Sequence, residues 1–272
     1  MSRPVWFVNL IKKTFPKRFA VAKLSKWPVV GGLMERWLAE GDDLIYLPRN
    51  QVIPVNQAID PPGSTVLPSQ VVDHFIEKAN YHWIMNFCIC RDSEKCQDYP
   101  RDLGCLFLGE AVLGINPKLG RRVTKEEALD HARGCREAGL VHLIGRNKLD
   151  MVWLGAGPGE KLLTICNCCP CCCLWRVLPD VTPGIGDRVA RMPGVTVQVA
   201  TDRCVGCGTC TQDVCFVKAI QLLDGHAVIS EACRGCGRCV SICPEGAIEV
   251  TVDNGEFVAD VIQRISSLVD VS

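Results

Sequence analysis

Two runs of cysteine near the end of the chain constrain its fold more than any other feature. Residues 204–215 read CVGCGTCTQDVC and residues 233–244 read CRGCGRCVSICP. Cys204, Cys207 and Cys210 are each separated by two residues, and Cys215 follows after four more. Cys233, Cys236 and Cys239 repeat the pattern, with Cys243 after three residues and Pro244 directly behind it. Three thiolates at that interval in a loop can wrap one face of a cubane, and the fourth must come from elsewhere; this is the spacing of bacterial two-cluster [4Fe-4S] runs. Gly206, Gly208, Gly235 and Gly237 fit, because they let the backbone fold tightly and aim N–H groups at cluster sulfurs. Paired CxxC motifs also build structural zinc sites, but a zinc site of two pairs has no use for the third cysteine of each run.

The runs form an internal repeat. Cys204–Cys215 with Ala219 and Ile220 maps onto Cys233–Cys243 with Ala247 and Ile248, 28 or 29 positions later. That is too short for two domains and implies one pseudo-twofold module. In such runs the remote cysteine serves the other cluster. Cys204, Cys207, Cys210 and Cys243 are therefore expected to hold one cubane, and Cys233, Cys236, Cys239 and Cys215 the other. Residues 195–252 resemble bacterial-type 2[4Fe-4S] (dicluster) ferredoxins, which implies a ferredoxin-like fold that carries electrons. The chain departs from that family in the four residues before Cys215 and at Phe216, where the family usually has proline; the departure bears on the shape of that loop.

Nineteen cysteines in 272 residues would suit a disulfide scaffold only in a much shorter secreted chain. Residues 1–30 lack the apolar stretch and small-residue cleavage site of a signal peptide. The cysteines are expected to be reduced metal ligands in a cytoplasmic protein, and clusters in such number suggest an anaerobe. No apolar run approaches the length of a membrane span. Lys plus Arg equals Asp plus Glu at 30 each, so no global field points to nucleic acid or an acidic substrate. With 48% hydrophobic residues a substantial core is affordable. The expected architecture is α+β: a cysteine-rich α/β region over 1–185, a ferredoxin-like two-cluster module over 195–252, and a docking helix within 253–272.

Residues 1–30 hold Arg3, Lys12, Lys13, Lys17, Arg18, Lys23 and Lys26 and no acid. Apolar residues lie between them, as in short amphipathic helices broken at Pro16. Such a segment could lie on an anionic membrane surface, dock on an acidic partner, or pack on its own domain with a solvated basic face. A helix is expected to end at Gly41, extended chain to cover 42–54, and a turn to fall at Asp60-Pro61-Pro62-Gly63. Ser69 should cap a helix through Ala79. Thr124 and Glu127 form a capping box for a helix ending near Gly139, followed by a buried strand over 140–144. Strands are expected at 151–154 and 162–165, joined by a Gly-rich hairpin turn over 155–159. A strand and not a helix follows that turn, so it is no dinucleotide fingerprint. Residues 180–194, rich in Pro and Gly, are the linker candidate, and 257–269 should form an amphipathic helix.

Eleven cysteines precede the module. Cys88, Cys90, Cys96 and Cys105 form one sequence group; Cys166, Cys168, Cys169, Cys171, Cys172 and Cys173 form another. Six cysteines within eight residues are poorly explained by packing, since other small hydrophobes lack the oxidation hazard. Metal ligation is the economical account, by at least one further iron–sulfur centre or by zinc. If 87–91 is extended, Cys88 and Cys90 share a face, as do Cys166 and Cys168, while Pro170 turns Cys171–Cys173 back. Cys135, one helical turn beyond His131, is a possible ligand pair or an ordinary core thiol. His142 reads as a core histidine or as a hydrogen-bonding tuner of a cluster, and Trp83 and Trp175 as shields for a metal centre.

The segment from Cys88 through Gly139-Leu140-Val141-His142 to ICNCCPCCC, ahead of the module, resembles a group of anaerobe iron–sulfur proteins of 4Fe-4S dicluster type. The resemblance covers most of residues 80–250 and implies shared architecture without a substrate. The chain lacks paired carboxylates, a nucleophile–base constellation or a phosphate loop. It reads as a low-potential electron relay serving a redox partner protein or complex, peripheral to a membrane if residues 1–30 dock there. Two alternatives stay open: a reductase whose N-terminal cysteine centre is catalytic, and a structural zinc module carrying a ferredoxin.

Overall fold

A computed structural model describes residues 2–49, 67–252 and 256–272. Three helices open the chain: α1 (Val5–Thr14), α2 (Arg18–Leu24) and α3 (Pro28–Leu38), with a 3-10 turn at Phe15–Lys17 where Pro16 interrupts the ladder. They are followed by β1 (Asp43–Tyr46), α4 (Ser69–Lys78), β2 (His82–Met85), α5 (Ile89–Ser93), β3 (Leu106–Leu108), β4 (Gly120–Val123), α6 (Lys125–Glu137), β5 (Val141–Arg146), α7 (Lys148–Leu154), β6 (Leu163–Cys168), α8 (Pro183–Gly186) and β7 (Val189–Arg191). The C-terminal part adds β8 (Val195–Val199), β9 (Ile220–Leu223), β10 (His226–Ile229), α9 (Arg238–Ile242), β11 (Ile248–Val252) and α10 (Phe257–Ser266).

Among the described residues the strands form a seven-stranded sheet of order β4-β2-β3-β6-β5-β1-β7 and two two-stranded ribbons, β10-β9 and β11-β8. The large sheet is antiparallel except where β7 runs parallel to β1. Its two faces carry different loads. Ile84, Leu106, Leu108, Ile144, Leu163 and Ile165 pack into one apolar core with α4, α6 and α10. Trp83, Met85, Cys105 and Phe107 face the other way, toward Val8 of α1 and Trp153 and Leu154 of α7. Alternation along each strand produces this division, and it places cysteines of β6 and of the residue preceding β3 on the side covered by α1 and α7.

The Thr124–Glu127 capping box is present and starts α6; α10 packs against α4 and its Arg264 pairs with Asp43 at 2.5 Å. Several expectations need correction. Met151–Leu154 is the end of helix α7: Asn147 caps the Leu149 N–H and Gly155, at φ +65°, ends the helix in the left-handed region. Four consecutive apolar residues carry too little periodicity to separate the two structures. The Gly-rich stretch after it therefore joins a helix to a strand. Residues 87–91 are not extended; Cys88 is the extended N-cap of α5. Pro68 occupies the cap position expected for Ser69, the first residue of α4. The Pro/Gly-rich stretch 180–194 carries α8 and β7, built into the sheet beside β1. Residues 50–54 and the expected turn at 60–63 lie outside the described residues.

The N-terminal helices pack on the body through Val8, Phe15 and Ala22, and through the ion pairs Lys12–Asp92 (2.8 Å) and Arg18–Glu94. Their outer surface mixes exposed apolar side chains with Lys13, Lys17, Lys23 and Lys26. Trp6 and Leu10 lie one turn apart on α1, and Val29, Leu33 and Trp37 form a stripe at four-residue spacing on α3; Trp6 is 68% exposed, Val29 86% and Trp37 67%. Among the described residues no helix is long and apolar enough to cross a membrane.

Candidate metal centres

The structure regroups the eleven N-terminal cysteines across the two sequence groups. Register is the cause. β3 pairs with β6 through Leu106 and Ile165, which brings the preceding Cys105 to Cys166, Sγ to Sγ 3.9 Å. Cys166 and Cys168 lie on one face of β6, and Cys173 returns beyond the Pro170 turn to the side of Cys168: the Tyr46 hydroxyl lies 3.6 Å from Cys168 Sγ and 3.7 Å from Cys173 Sγ. Cys88 and Cys90 arrive on the first turn of α5. These six thiols line one cavity of about 260 Å³, with Cys169 on its wall as well, closed by apolar side chains including Ile11, Phe15, Trp153 and Trp175. Asp150 closes a polar end of it, accepting hydrogen bonds from Asn147, Trp153 and Thr164 while burial raises its pKa.

The remaining four ligand candidates converge on a second point. The sulfurs of Cys96, Cys169, Cys171 and Cys172 all lie within 4.8 Å of one another. Cys171 Sγ is 3.6 Å from both Cys96 and Cys172, and the Cys172 N–H donates to Cys169 Sγ at 3.3 Å. Cys135 sits beside this group in a small apolar cluster with Leu140. Its thiol is 3.7 Å from His131 Nε2, which also meets the Gly104 carbonyl at 2.9 Å. Burial pushes the Cys135 thiol up to about 12, the behaviour of a core thiol.

A cation missed by sequence reasoning lies between the two groups. Arg91 is fully buried, and its guanidinium donates to the carbonyls of Pro100 (2.7 Å), Asn167 (2.6 Å) and Leu103. Burial disfavours its charge, but the field of Cys88, Cys169, Cys105 and Cys168 outweighs that and raises its pKa. The reciprocal effects are visible on the sulfurs. Hydrogen bonding with Cys90, against the cost of burial and with help from Arg91, brings Cys88 down to about 7. Cys168 is held well below the usual thiol range by Cys166 and Cys173, then by Tyr46 and Arg238. The position of Arg91 directly after Cys90 was the one available signal; neither Tyr46 nor Arg238 had one. His142 lies off the thiols: its Nδ1 donates to Asn167 Oδ1 at 2.8 Å, and burial lowers its pKa to about 4. Of the two tryptophans, Trp175 lines the cavity and Trp83 is buried with Cys105.

In the C-terminal part, Cys204, Cys207, Cys210 and Cys243 line one small pocket, while Cys215, Cys233, Cys236 and Cys239 line another. Gly206, Gly208, Gly235 and Gly237 all have φ near +70°, the backbone that the loops require. Corresponding N–H groups aim at sulfur in both halves: Ala219 to Cys215 at 3.2 Å and Ala247 to Cys243 at 3.3 Å. The second pocket adjoins the body. Phe216 lines it and its ring meets Tyr46 at 4.7 Å, and Arg238 reaches from it to the carbonyls of Gly139 (3.2 Å) and Cys168.

A family model described as the LdpA Fe-S cluster-binding domain matches residues 211–253, which include Cys215, Cys233, Cys236, Cys239 and Cys243. The C-terminal region is thus an iron–sulfur binding region. No curated protein and no solved structure matches the chain.

Replacing Cys135 by Ala should leave iron, zinc and acid-labile sulfide unchanged in anaerobically purified protein, whereas Cys168→Ala should lower iron and sulfide together.

Proposed function

We propose that this protein is a low-potential electron carrier in which a C-terminal pair of [4Fe-4S] clusters exchanges electrons with a partner and an N-terminal centre, held by the six thiols of the large cavity, passes them on. The carrying observation is the contact between the two parts. The pocket of Cys215, Cys233, Cys236 and Cys239 adjoins, through Phe216, the apolar cluster that contains Tyr46, Cys168 and Cys173. The pocket of Cys204, Cys207, Cys210 and Cys243 has the exposed thiol, Cys207, which suits the end that meets a partner. Each pocket combines three cysteines of one run with the remote cysteine of the other, in keeping with cross-ligation. The fit of the N-terminal cavity to an anionic centre rests on Arg91: a fully buried cation held by carbonyls needs negative charge beside it, and metal-bound thiolates supply that.

The same cavity favours a second reading. Six thiols exceed the four that saturate one cubane, and the apolar space beside them has room for a small substrate. On that reading the N-terminal centre is the catalytic site of a reductase. A second surface, on the N-terminal helices and away from the Cys207 end, suits contact with an anionic membrane. Exposed Trp6, Trp27, Leu33 and Trp37 beside Lys13, Lys17, Lys23 and Lys26 combine the aromatic and basic residues of helices that lie in an anionic lipid interface.

Cys215→Ser should alter the same EPR signal as Cys236→Ser in the reduced protein and spare the one altered by Cys207→Ser; the reverse pattern would remove cross-ligation. Carbon monoxide or cyanide added to the reduced full chain should leave the spectrum unchanged if the centre is a relay, whereas a ligand-dependent shift would establish the second reading. The chain should co-sediment with vesicles containing phosphatidylserine and not with neutral ones. That association should weaken as salt rises and the Debye length falls from about 10 Å at 0.1 M to about 3 Å at 1 M, and Trp6→Ser with Trp37→Ser should reduce it several-fold.

A further inference from the structure

We propose that Cys96, Cys169, Cys171 and Cys172 hold a single tetrahedral thiophilic ion, separate from every iron–sulfur cluster of the protein, and that this ion braces the loop from which the six-thiol cavity is built. The first reason is distance. A tetrahedron of sulfurs around one ion with metal–sulfur bonds of about 2.3 Å has edges of about 3.8 Å. The two measured edges, Cys96–Cys171 and Cys171–Cys172, are 3.6 Å each, and the whole set falls within 4.8 Å. Four irons of a cubane stand a bond length or more apart and push their thiolates wider than that.

The molecule supplies its own ruler. Among the described residues this is the one set of three or more metal-ligating side chains with all ligand atoms inside 4.8 Å. Neither C-terminal set, with the spacing of cubane ligands, is drawn so close, and neither are the six thiols around the large cavity. The four-sulfur point and the cluster-sized pockets are therefore different kinds of site in one chain, with Cys169 standing on the wall between the point and the large cavity.

Local structure suits a closed site. Cys169-Pro170-Cys171-Cys172 makes a tight turn in which the Cys172 N–H donates to Cys169 Sγ. Cys96, Cys169 and Cys172 are buried, and Tyr99, Leu103, Cys135 and Leu140 pack around them. Four thiolates leave no open position, as in structural rather than catalytic zinc sites. The charge of such a site, two negative for a divalent ion, has a buried counter-charge in Arg91, whose guanidinium donates to the Asn167 carbonyl two residues before Cys169.

The consequence lies in the chain order. Cys168 precedes the turn and Cys173 follows it; both are cavity thiols. An ion gripping Cys169, Cys171 and Cys172 and tied to Cys96 fixes the direction in which the two flanking cysteines point. Zinc and a rubredoxin-type iron share this ligand chemistry, so the experiment separates them.

The full chain is purified anaerobically and its zinc, iron and acid-labile sulfide are measured, together with Cys96→Ser and Cys171→Ser. In [4Fe-4S] clusters iron and sulfide are equal in number. The expected result is one further metal ion per chain, either zinc or iron in excess of sulfide, lost in both variants out of proportion to sulfide. Zinc-edge or iron-edge X-ray absorption on the wild-type chain needs no variant to fold. It should show, for zinc, four sulfurs at about 2.3 Å and no neighbouring metal; for iron, an isolated-iron component should appear in the Mössbauer spectrum. Iron equal to sulfide with no zinc would overturn the proposal, as would a loss of four irons with four sulfides in Cys96→Ser, or unchanged metal content in both variants.

Discussion

A guanidinium buried from the protein surface sets the terms for the N-terminal half. Arg91 hydrogen-bonds three carbonyls, which orient it but do not neutralise it. A buried charge without a counter-charge costs several kcal/mol, and the groups close enough to compensate are thiols on both of its sides. The interior is therefore electrically sound when those sulfurs are thiolates, and metal ligation is what keeps buried thiolates charged. If this half holds metal as proposed, its folding and metal acquisition are one process, because the carbonyls of Pro100 and Leu103 that hold Arg91 belong to the loop between Cys96 and Cys105.

The large sheet turns this electrostatic demand into geometry. Setting β3 beside β6 aligns Cys105 with Cys166, and setting β1 beside β5 delivers the Tyr46 hydroxyl to Cys168 and Cys173. One face of the sheet is committed to an ordinary apolar core with α4, α6 and α10, which leaves the other free to carry chemistry under the cover of α1 and α7. Buried thiols need such cover, since apolar walls limit solvent and with it both hydrolysis and uncontrolled oxidation.

Much of this was legible along the chain and some was not, for reasons that differ by element. The capping box at Thr124, the buried strand after Gly139 and the shared face of Cys166 and Cys168 depend on neighbours a few residues away, and local patterns report them. The partition of the cysteines does not. Cys96 belongs with Cys169, Cys171 and Cys172, whereas Cys88, Cys90 and Cys105, its neighbours in sequence, belong with Cys166, Cys168 and Cys173. Only strand pairing and the Pro170 turn decide that. Met151–Leu154 shows a different limit: its helix depends on Asn147 and Gly155 at its two ends, outside the apolar run that suggested a strand. The N-terminal helices show a third, since Lys12 and Arg18 spend their charge on Asp92 and Glu94 of the same chain while Lys13 and Lys17 face outward, a division that spacing alone does not encode.

Phe216 has a meaning beyond its contact with Tyr46. Bacterial ferredoxins, which residues 195–252 resemble, usually carry proline at this position, and its compact pyrrolidine does not reach into a neighbouring body. Here the ring makes the loop after Cys215 part of the apolar cluster around Tyr46, so the two ends of the chain are keyed to each other by shape. A free-standing ferredoxin spliced into this chain would bring every cysteine it needs and still leave a hole against Tyr46. Exchange of this loop is in that sense limited by volume at one side chain.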